Sequence, residues 1–145
     1  MKELETTRFG RIPFLSEKVL TFPEGLLGFP KHSRFYLLET EEPSIFYWLQ
    51  SVDDPALAFV VMDPEELVSD YRDRIRSLIV DPTFKDQEVN SMVIVTVPSK
   101  DTGGMTVNLQ GPLVVRETDR LGKQVVLFDE ENWLHYPLFA NKHPG

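Results

Sequence analysis

The stretch FYWLQSVDDPALAFVVM, residues 46–62, decides the fold class of this 145-residue chain. Residues 46–52 carry large apolar groups at odd and even positions, a pattern typical of a central strand covered on both faces. Alternation places Phe46, Trp48 and Gln50 on one face and Tyr47, Leu49 and Ser51 on the other. Asp53-Asp54-Pro55 predicts a turn, because Asp and Pro favour turns. Residues 58–62 then return as the hairpin partner, so the stretch predicts antiparallel sheet.

Segments of similar character lie on both sides of this hairpin, separated by many of the 11 prolines and 8 glycines. The further predicted strands are residues 4–9 and 12–15 (a hairpin turning at Gly10-Arg11), 19–22, 34–39, 91–97, 105–109, 112–118 and 123–128. About ten short strands with one or two short helices indicate an antiparallel barrel or sandwich. A chain of this length predicts a single domain, residues 1–145.

The middle and the end of the chain are less regular. Asp63 and Pro64 predict the N-cap and first position of a short helix. Residues 71–80 fit a strand, with the basic side chains 72, 74 and 76 on one face. They also fit a helix, in which Ile75, Leu78 and Ile79 share a face. Both alternatives stay open. The tail, residues 133–145, is predicted to be a peripheral flap.

Residues 21–30, TFPEGLLGFP, form the most unusual segment. Two prolines and two glycines predict a shaped loop, since proline fixes φ and glycine reaches positive φ. Its Phe and Leu side chains require burial, either in the protein's own core or against a partner. The sequence leaves these two hypotheses open.

The net charge of −8 is concentrated in residues 39–73. That stretch has ten acidic residues and one basic residue, Arg72, which leaves nine net negative charges. Nucleic-acid binding depends on Lys and Arg at phosphates, so the stretch disfavours direct nucleic-acid binding. It is consistent with steering of a basic protein partner or with a solvated surface.

The sequence contains no recognisable catalytic motif. There is no cysteine for disulfides or thiolate chemistry, and the three histidines lack metal-ligand spacing. Gly25-x-x-Gly28 lacks the further glycine and lysine of a phosphate-binding loop. Turn formation explains Asp53 and Asp54 better than acid–base catalysis does. Asn108 fits an amide that pins a loop, or one that caps a strand end, better than a catalytic residue. We therefore predict no catalytic site, metal or cofactor. Because no signal peptide or membrane span is evident, we expect a soluble, intracellular protein without membrane association.

Several segments together resemble one protein family. Thr21–Phe29 reads TFPEGLLGF, which is similar to the hallmark of the flagellar assembly factor FliW. Further similar segments follow in the same order: residues 46–55, 57–61, 70–71, 92–98, 105–112 and 122–127. One segment departs from the family pattern, because Arg72-Asp73-Arg74-Ile75-Arg76 is basic where the family is usually acidic.

The resemblance implies a non-catalytic, cytoplasmic factor with a small antiparallel β-barrel-like fold. Such proteins bind flagellin as a chaperone before export. They also bind the RNA-binding regulator CsrA and antagonise its repression of flagellin translation, and export of flagellin frees them to do so. We expect a monomer that uses the loop and the acidic stretch. The candidate partner-binding residues are Phe22, Pro23, Gly25, Leu26, Leu27, Gly28, Phe29, Glu41, Glu42, Asp53 and Asp54. The alternative function is a small β-barrel enzyme or ligand carrier whose pocket is closed by residues 21–30.

Overall fold

A computed structural model describes residues 2–39, 44–97, 104–127 and 133–138. The strands are β1 (Lys2–Thr6), β2 (Gly10–Phe14), β3 (Leu20–Thr21), β4 (Arg34–Glu39), β5 (Phe46–Ser51), β6 (Ala58–Met62), β7 (Val89–Thr96), β8 (Thr106–Val107), β9 (Leu113–Arg116), β10 (Gly122–Gln124) and β11 (Tyr136–Pro137). One α-helix, α1 (Tyr71–Arg76), and two 3₁₀ helices, Ser16–Lys18 and Pro64–Glu66, complete the described elements. The prediction of a mainly β protein with short helices is confirmed.

The main sheet follows the order β10-β9-β7-β6-β5-β4-β3, with every ladder antiparallel. β8 pairs with β7 and β11, whereas β1 and β2 form a separate hairpin. The two ends of the main path meet at one isolated parallel bridge, Thr21 to Leu121. The Thr21 N–H donates to the Arg120 carbonyl at 3.0 Å. The sheet therefore curls until its ends touch, but the described strands do not form the continuous closed ladder of a barrel.

The alternation of side chains divides the buried residues between the two faces of the curled sheet. The inner cluster contains Leu20, Phe22, Leu26, Phe35, Leu49, Val61, Leu113 and Val115. The outer cluster contains the intervening residues Met62, Val93, Val95 and Val114, together with Tyr71 and Ile75 of α1 and with Trp133 and Leu138. β5 lies between β4 and β6, which confirms the prediction of a central strand.

Helix α1 decides between the two alternatives for residues 71–80. Tyr71 and Ile75 are buried, and their spacing of four places them on one face of the helix, which ends at Arg76 before Leu78 and Ile79. The Tyr71 hydroxyl donates to the Leu109 carbonyl at 2.6 Å. Asp63 caps the preceding 3₁₀ helix as predicted, because its side chain accepts a hydrogen bond from the backbone N–H of Glu65.

The first hairpin turns three residues earlier than the sequence predicts. β1 ends at Thr6 and β2 begins at Gly10, so the turn is made by residues 7–9. The Thr6 hydroxyl accepts from the Phe9 N–H at 2.7 Å and donates to the Gly10 carbonyl at 2.8 Å. This local side-chain bonding satisfies the turn, and Gly10 supplies its positive φ of 70°.

The expected peripheral tail does not hold for residues 133–138. Trp133 and Leu138 are only 5% and 8% exposed and belong to the outer cluster. The Leu109 N–H donates to the Trp133 carbonyl at 2.8 Å, and β11 pairs with β8 in an antiparallel ladder. Residues 133–138 are therefore attached to the core at both ends, by Trp133 and Leu138, whereas Leu134 between them is exposed. The remainder of the predicted flap lies outside the described residues.

Candidate binding surface

The apolar loop, residues 21–30, consists of two consecutive tight turns. In the first, the Gly25 N–H donates to the Phe22 carbonyl at 2.7 Å. In the second, the Phe29 N–H donates to the Leu26 carbonyl, also at 2.7 Å. Gly28, the third residue of that turn, has a φ of 85°, as a type II turn requires. The loop is thus a shaped structure, as its glycines and prolines predict.

The side chains of the loop divide between the core and the surface. Phe22 is fully buried and Leu26 is 3% exposed, and both belong to the inner cluster. The Phe22 ring packs edge-to-face on Phe35 with centroids 6.0 Å apart. Leu27 lies on the outside and is 60% exposed. Phe29 is half-buried, with its ring 5.3 Å from that of Phe59. Phe22 and Leu26 support the loop from within, while Leu27 is available to a partner.

Gln124, a residue absent from the predicted site, braces the exposed tip of the loop. Its Oε1 accepts from the Leu27 N–H at 2.8 Å, and its Nε2 donates to the Gly111 carbonyl at 2.9 Å. Asn108 in turn accepts from the N–H groups of Gln110 and Gly111 at 3.0 and 2.9 Å. The Asn108 bonds confirm its predicted role in pinning a loop. Only the polar, hydrogen-bonding character of Gln124 could have indicated its role from the sequence.

The acidic turn, residues 53–55, is built by hydrogen bonds and ion pairs. Ser51 Oγ accepts from the N–H groups of Asp53 and Asp54 at 3.2 and 2.9 Å. Arg34 binds Asp53 through Nη2 and, at 3.2 Å, through Nε. This hydrogen bonding lowers the pKa of Asp53 from its ordinary value. The Asp54 carboxylate accepts from the Ala56 N–H at 3.0 Å, which confirms its predicted role in the turn, whereas the Asp53 carboxylate binds Arg34.

His32 connects the apolar loop to the acidic turn. Its ring lies edge-to-face against Phe29 with centroids 5.9 Å apart, and its Nε2 lies 3.4 Å from Asp54 Oδ2. The structure therefore brings Phe29 and Asp54 together, although they are far apart in sequence. We call the exposed parts of residues 23–30 and 53–54 the loop–turn surface. Glu41 and Glu42 lie outside the described residues.

The alternative function, an enzyme or ligand carrier, requires a cavity that residues 21–30 close. A shallow depression of about 220 Å³ lies beside the loop between Gly25, Pro30 and Gln124. A larger cavity of about 580 Å³ is lined by Glu39, Tyr47 and other residues. Glu39 and Tyr47 are paired across β4 and β5. Their pair lies four positions along the strands from the Phe35–Ser51 pair, which is near the loop. No residue of 21–30 lines this larger cavity, so the loop is not positioned as its lid.

Residues 2–39, 44–97, 104–127 and 133–138 contain no group of three or more His, Cys, Asp or Glu side chains placed to hold a metal. Within the same ranges, no helix has the length and apolar character needed to cross a membrane.

Comparison with known proteins gives a consistent result. The model of the family described as "FliW protein" matches residues 3–138. Flagellar assembly factor FliW of Leptospira interrogans is 37% identical over 141 residues, covering 96% of this chain and 94% of that protein. The factor of the same name from Geobacter sulfurreducens is 39% identical, with coverage of 97% and 91%. A crystal structure of the flagellar assembly factor FliW superposes with a TM-score of 0.75 at 31% identity, over 95% of this chain and 97% of that one.

Proposed function

This chain belongs to the FliW family of flagellar assembly factors, as the sequence resemblance predicts, and we propose that it acts by non-catalytic protein binding. It binds flagellin in the cytoplasm as a chaperone. It also binds the translational regulator CsrA and antagonises repression of flagellin translation. It acts as a monomer and contacts neither nucleic acid nor membrane directly. The observation that carries the proposal is the loop–turn surface, where an exposed apolar tip and two carboxylates lie together on braced backbone.

The apolar loop is assigned to flagellin. Unassembled flagellin has apolar terminal helices without partners, and such helices bind in apolar grooves. Leu27 offers an exposed apolar group, and the depression beside it is bounded by Gly25, Pro30 and Gln124. Burial removes Phe22, Gly25 and Leu26 from direct contact. The proposed contact residues are therefore Pro23, Leu27, Gly28 and Phe29.

The acidic turn is assigned to the regulator. An RNA-binding regulator requires a basic surface, and an acidic partner docked beside it also repels RNA. Asp53 is half-exposed although Arg34 binds it, and Asp54 is also partly exposed. Because Arg34 offsets part of the charge, the two aspartates contribute to this attraction together with the rest of the acidic stretch.

Flagellin binding is tested by Leu27→Glu, with Val97→Glu as the matched control because Val97 is 61% exposed at the end of β7. Burying a carboxylate in an apolar contact is expected to weaken flagellin binding by about tenfold or more. The control is expected to keep the wild-type affinity in isothermal titration calorimetry. Full flagellin affinity in a folded Leu27→Glu variant, checked by circular dichroism, would refute the assignment of the loop.

Regulator binding is tested by reversing both Asp53 and Asp54 to lysine. Glu17→Lys with Glu117→Lys is the control, since it changes the net charge equally outside the acidic stretch. The aspartate reversal is expected to weaken CsrA binding by about fivefold to tenfold and to flatten its salt dependence. Equal affinities of the two double variants at low salt would remove the acidic turn from the interface.

The enzyme or ligand-carrier alternative receives less support. Its defining feature was a pocket closed by residues 21–30, and none of those residues lines the 580 Å³ cavity. The relatives found are named as assembly factors. Binding therefore remains the proposed activity.

A further inference from the structure

Strand β4 continues beyond its neighbour β3. β3 contains only Leu20–Thr21 and pairs with β4 at Phe35 and Arg34. The chain that precedes β3 turns away into the 3₁₀ helix Ser16–Lys18. Residues 36–39 of β4 therefore have β5 on one side and, within the part of the chain that the structure describes, no paired strand on the other. We call residues 36–39 the open edge of β4.

The backbone of the open edge presents hydrogen-bonding groups to solvent. The Val52 N–H donates to the Arg34 carbonyl at 2.9 Å, so Arg34 is one of the β4 residues whose backbone groups point to β5. These directions alternate along a strand, which means that Leu37 and Glu39 point to the opposite side. Among the described residues, no hydrogen-bond partner is present for the N–H and carbonyl of Leu37 or for the N–H of Glu39. Such an edge is a template for a further strand.

The cavity of about 580 Å³ lies beside the open edge. Leu37 and Glu39 line it on the side of β4, whereas Val115 of β9 and Arg120 of the following turn line it on the other side. The cavity thus occupies the gap that the short β3 leaves between the two ends of the curled sheet. Its other apolar walls come from the inner face and include Leu20, Tyr47, Val61 and Met92. A volume of this size falls within the range of about 300–1,000 Å³ that is typical of ligand sites.

The charges that line this cavity favour an acidic ligand. They are the cations Lys18, Arg72 and Arg120 and the carboxylates of Glu39 and Asp63. None of the three cations forms an ion pair with a carboxylate of the described residues. The Asp63 carboxylate already accepts a backbone hydrogen bond at 2.9 Å. The lining therefore carries one net positive charge in a chain whose net charge is −8.

We propose that the open edge of β4 binds an extended segment of a partner protein as an added strand, with an apolar side chain of the segment in the cavity and acidic residues next to it. In strand addition, main-chain hydrogen bonds supply affinity and pockets for alternate side chains supply specificity. Leu37 and Glu39 provide the main-chain groups, and the cavity provides the pocket. Lys18 and Arg120 attract the acidic residues. None of these residues belongs to the loop–turn surface, so the open edge is a second interface.

The test uses a blocked seven-residue peptide, titrated into the ¹⁵N-labelled full chain. The peptide has leucine at its centre, a glutamate on each side of it and two threonines at each end. In the free chain, the amides of Leu37 and Glu39 are expected to exchange rapidly with water, and those of Tyr36 and Leu38 are expected to be protected by β5. Saturating peptide is expected to protect Leu37 and Glu39 as well. Absence of binding, or rapid exchange at both positions with the peptide bound, would overturn the proposal.

Modified peptides separate strand addition from simple occupation of the cavity. N-methylation removes a main-chain donor, and the N–H groups of a strand point alternately to its two sides. Methylation at the leucine and at the next glutamate is therefore expected to have unequal effects, with one weakening binding by at least about fivefold and the other by less than about twofold. Serine in place of leucine, or lysine in place of both glutamates, is expected to weaken binding by at least about fivefold. Equal effects of the two methylations, or undiminished binding by the serine or lysine peptide, would contradict strand addition at this site.

Two variants at one position test the backbone of the open edge. Leu37→Pro removes the edge N–H, and proline is tolerated on an edge strand where that N–H faces solvent. Leu37→Thr is the matched control, because it also lacks the leucine side chain but keeps the N–H. The proline variant is expected to bind the peptide at least about fivefold more weakly than the threonine variant. Equal affinities, with both folds intact by circular dichroism, would refute the role of the edge.

Charge and self-association are tested separately. Lys18→Glu is expected to weaken peptide binding by about threefold to fivefold. Lys31→Glu is its control, since both lysines are exposed and neither forms an ion pair within the described residues. Equal affinities of these two variants would remove the acidic residues from the proposal. A dimer in analytical ultracentrifugation that protects the Leu37 amide without peptide would assign the open edge to a second copy of the chain and overturn the proposal.

Discussion

Replacing Gly25 or Gly28 with alanine separates two physical reasons for glycine in the apolar loop. Both residues have positive φ, 73° and 85°. A Cβ on Gly28 meets no atom within 4 Å. A Cβ on Gly25 would lie 2.4 Å from the Phe29 carbonyl oxygen and 2.6 Å from Pro30 Cα, both backbone atoms that no side-chain rotation can remove. Gly28→Ala therefore costs conformational strain alone, whereas Gly25→Ala adds a backbone collision.

The magnitudes follow from these two terms. Left-handed backbone costs a residue with a Cβ about 1–2 kcal/mol, which is the whole effect expected for Gly28→Ala. Overpacking adds about 1–3 kcal/mol, so Gly25→Ala is expected to cost about 2–5 kcal/mol. For 145 residues, an unfolding entropy of about 2.1 cal/mol/K per residue makes each kcal/mol equal to a loss of about 3 °C in Tm. The expected losses in Tm are about 3–7 °C for Gly28→Ala and about 7–16 °C for Gly25→Ala.

Differential scanning calorimetry measures the two Tm values, and urea denaturation gives the free energies of unfolding. Gly28→Asn serves as a control, because asparagine tolerates left-handed backbone better than alanine does. It is expected to lose less stability than Gly28→Ala. If Gly25→Ala is no more destabilised than Gly28→Ala, the close backbone approach inferred for the loop is wrong.

Three further predictions concern buried and ion-paired groups. Tyr71→Phe leaves unpaired the carbonyl that its hydroxyl binds and is expected to cost about 1–2 kcal/mol in urea denaturation. Burial raises the pKa of Tyr71, so the unfolded chain loses this proton more readily than the folded one. Wild-type stability therefore falls as pH rises above about 10, and the variant lacks this contribution. Identical stability–pH profiles of the two proteins in this range would contradict the burial. Arg34→Met is expected to raise the pKa of Asp53 towards its ordinary value, measured by carboxyl ¹³C shifts. Because the native pKa is lowered, the stabilisation is present above about pH 4 and lost as pH falls through the native pKa; an unchanged Asp53 titration would argue against the pair. Trp133→Ala is expected to cost about 3–5 kcal/mol, and a loss below about 1 kcal/mol would place the tail outside the core.

The strands were predictable because their information is local. In residues 34–62, alternation and the Asp-Asp-Pro turn together specify β4, β5 and β6 with nearly correct ends. In the first hairpin the same reasoning fails. The sequence permits several turn positions, and the hydrogen bonds of the Thr6 hydroxyl stabilise the one that the structure adopts. Residues 71–80 were ambiguous because both periodicities are present. Packing of Tyr71 and Ile75 against the outer cluster, which no local pattern contains, selects the helix.

The candidate site was predictable in part for a related reason. Composition identifies residues 21–30 as a loop that must bury apolar groups, but it does not say which side chains turn inward. That choice depends on contacts distant in sequence: Phe35 receives Phe22, and Gln124 binds the backbone of Leu27. The acidic turn is also linked to the loop through His32, which the sequence offered only as a scattered histidine.

The distant segments that carry the family resemblance have a common structural role around the apolar loop. Gln124, from the segment 122–127, joins the loop tip to Gly111 in the segment 105–112. Gly122 lies so close to Phe22 that a Cβ there would approach the ring to 2.5 Å. Each of these contacts holds the loop to the sheet. The segments that resemble the family therefore converge on one structural feature, the braced loop that presents the exposed Leu27. This bracing has a consequence for binding, because a pre-organised loop loses less conformational entropy when a partner docks.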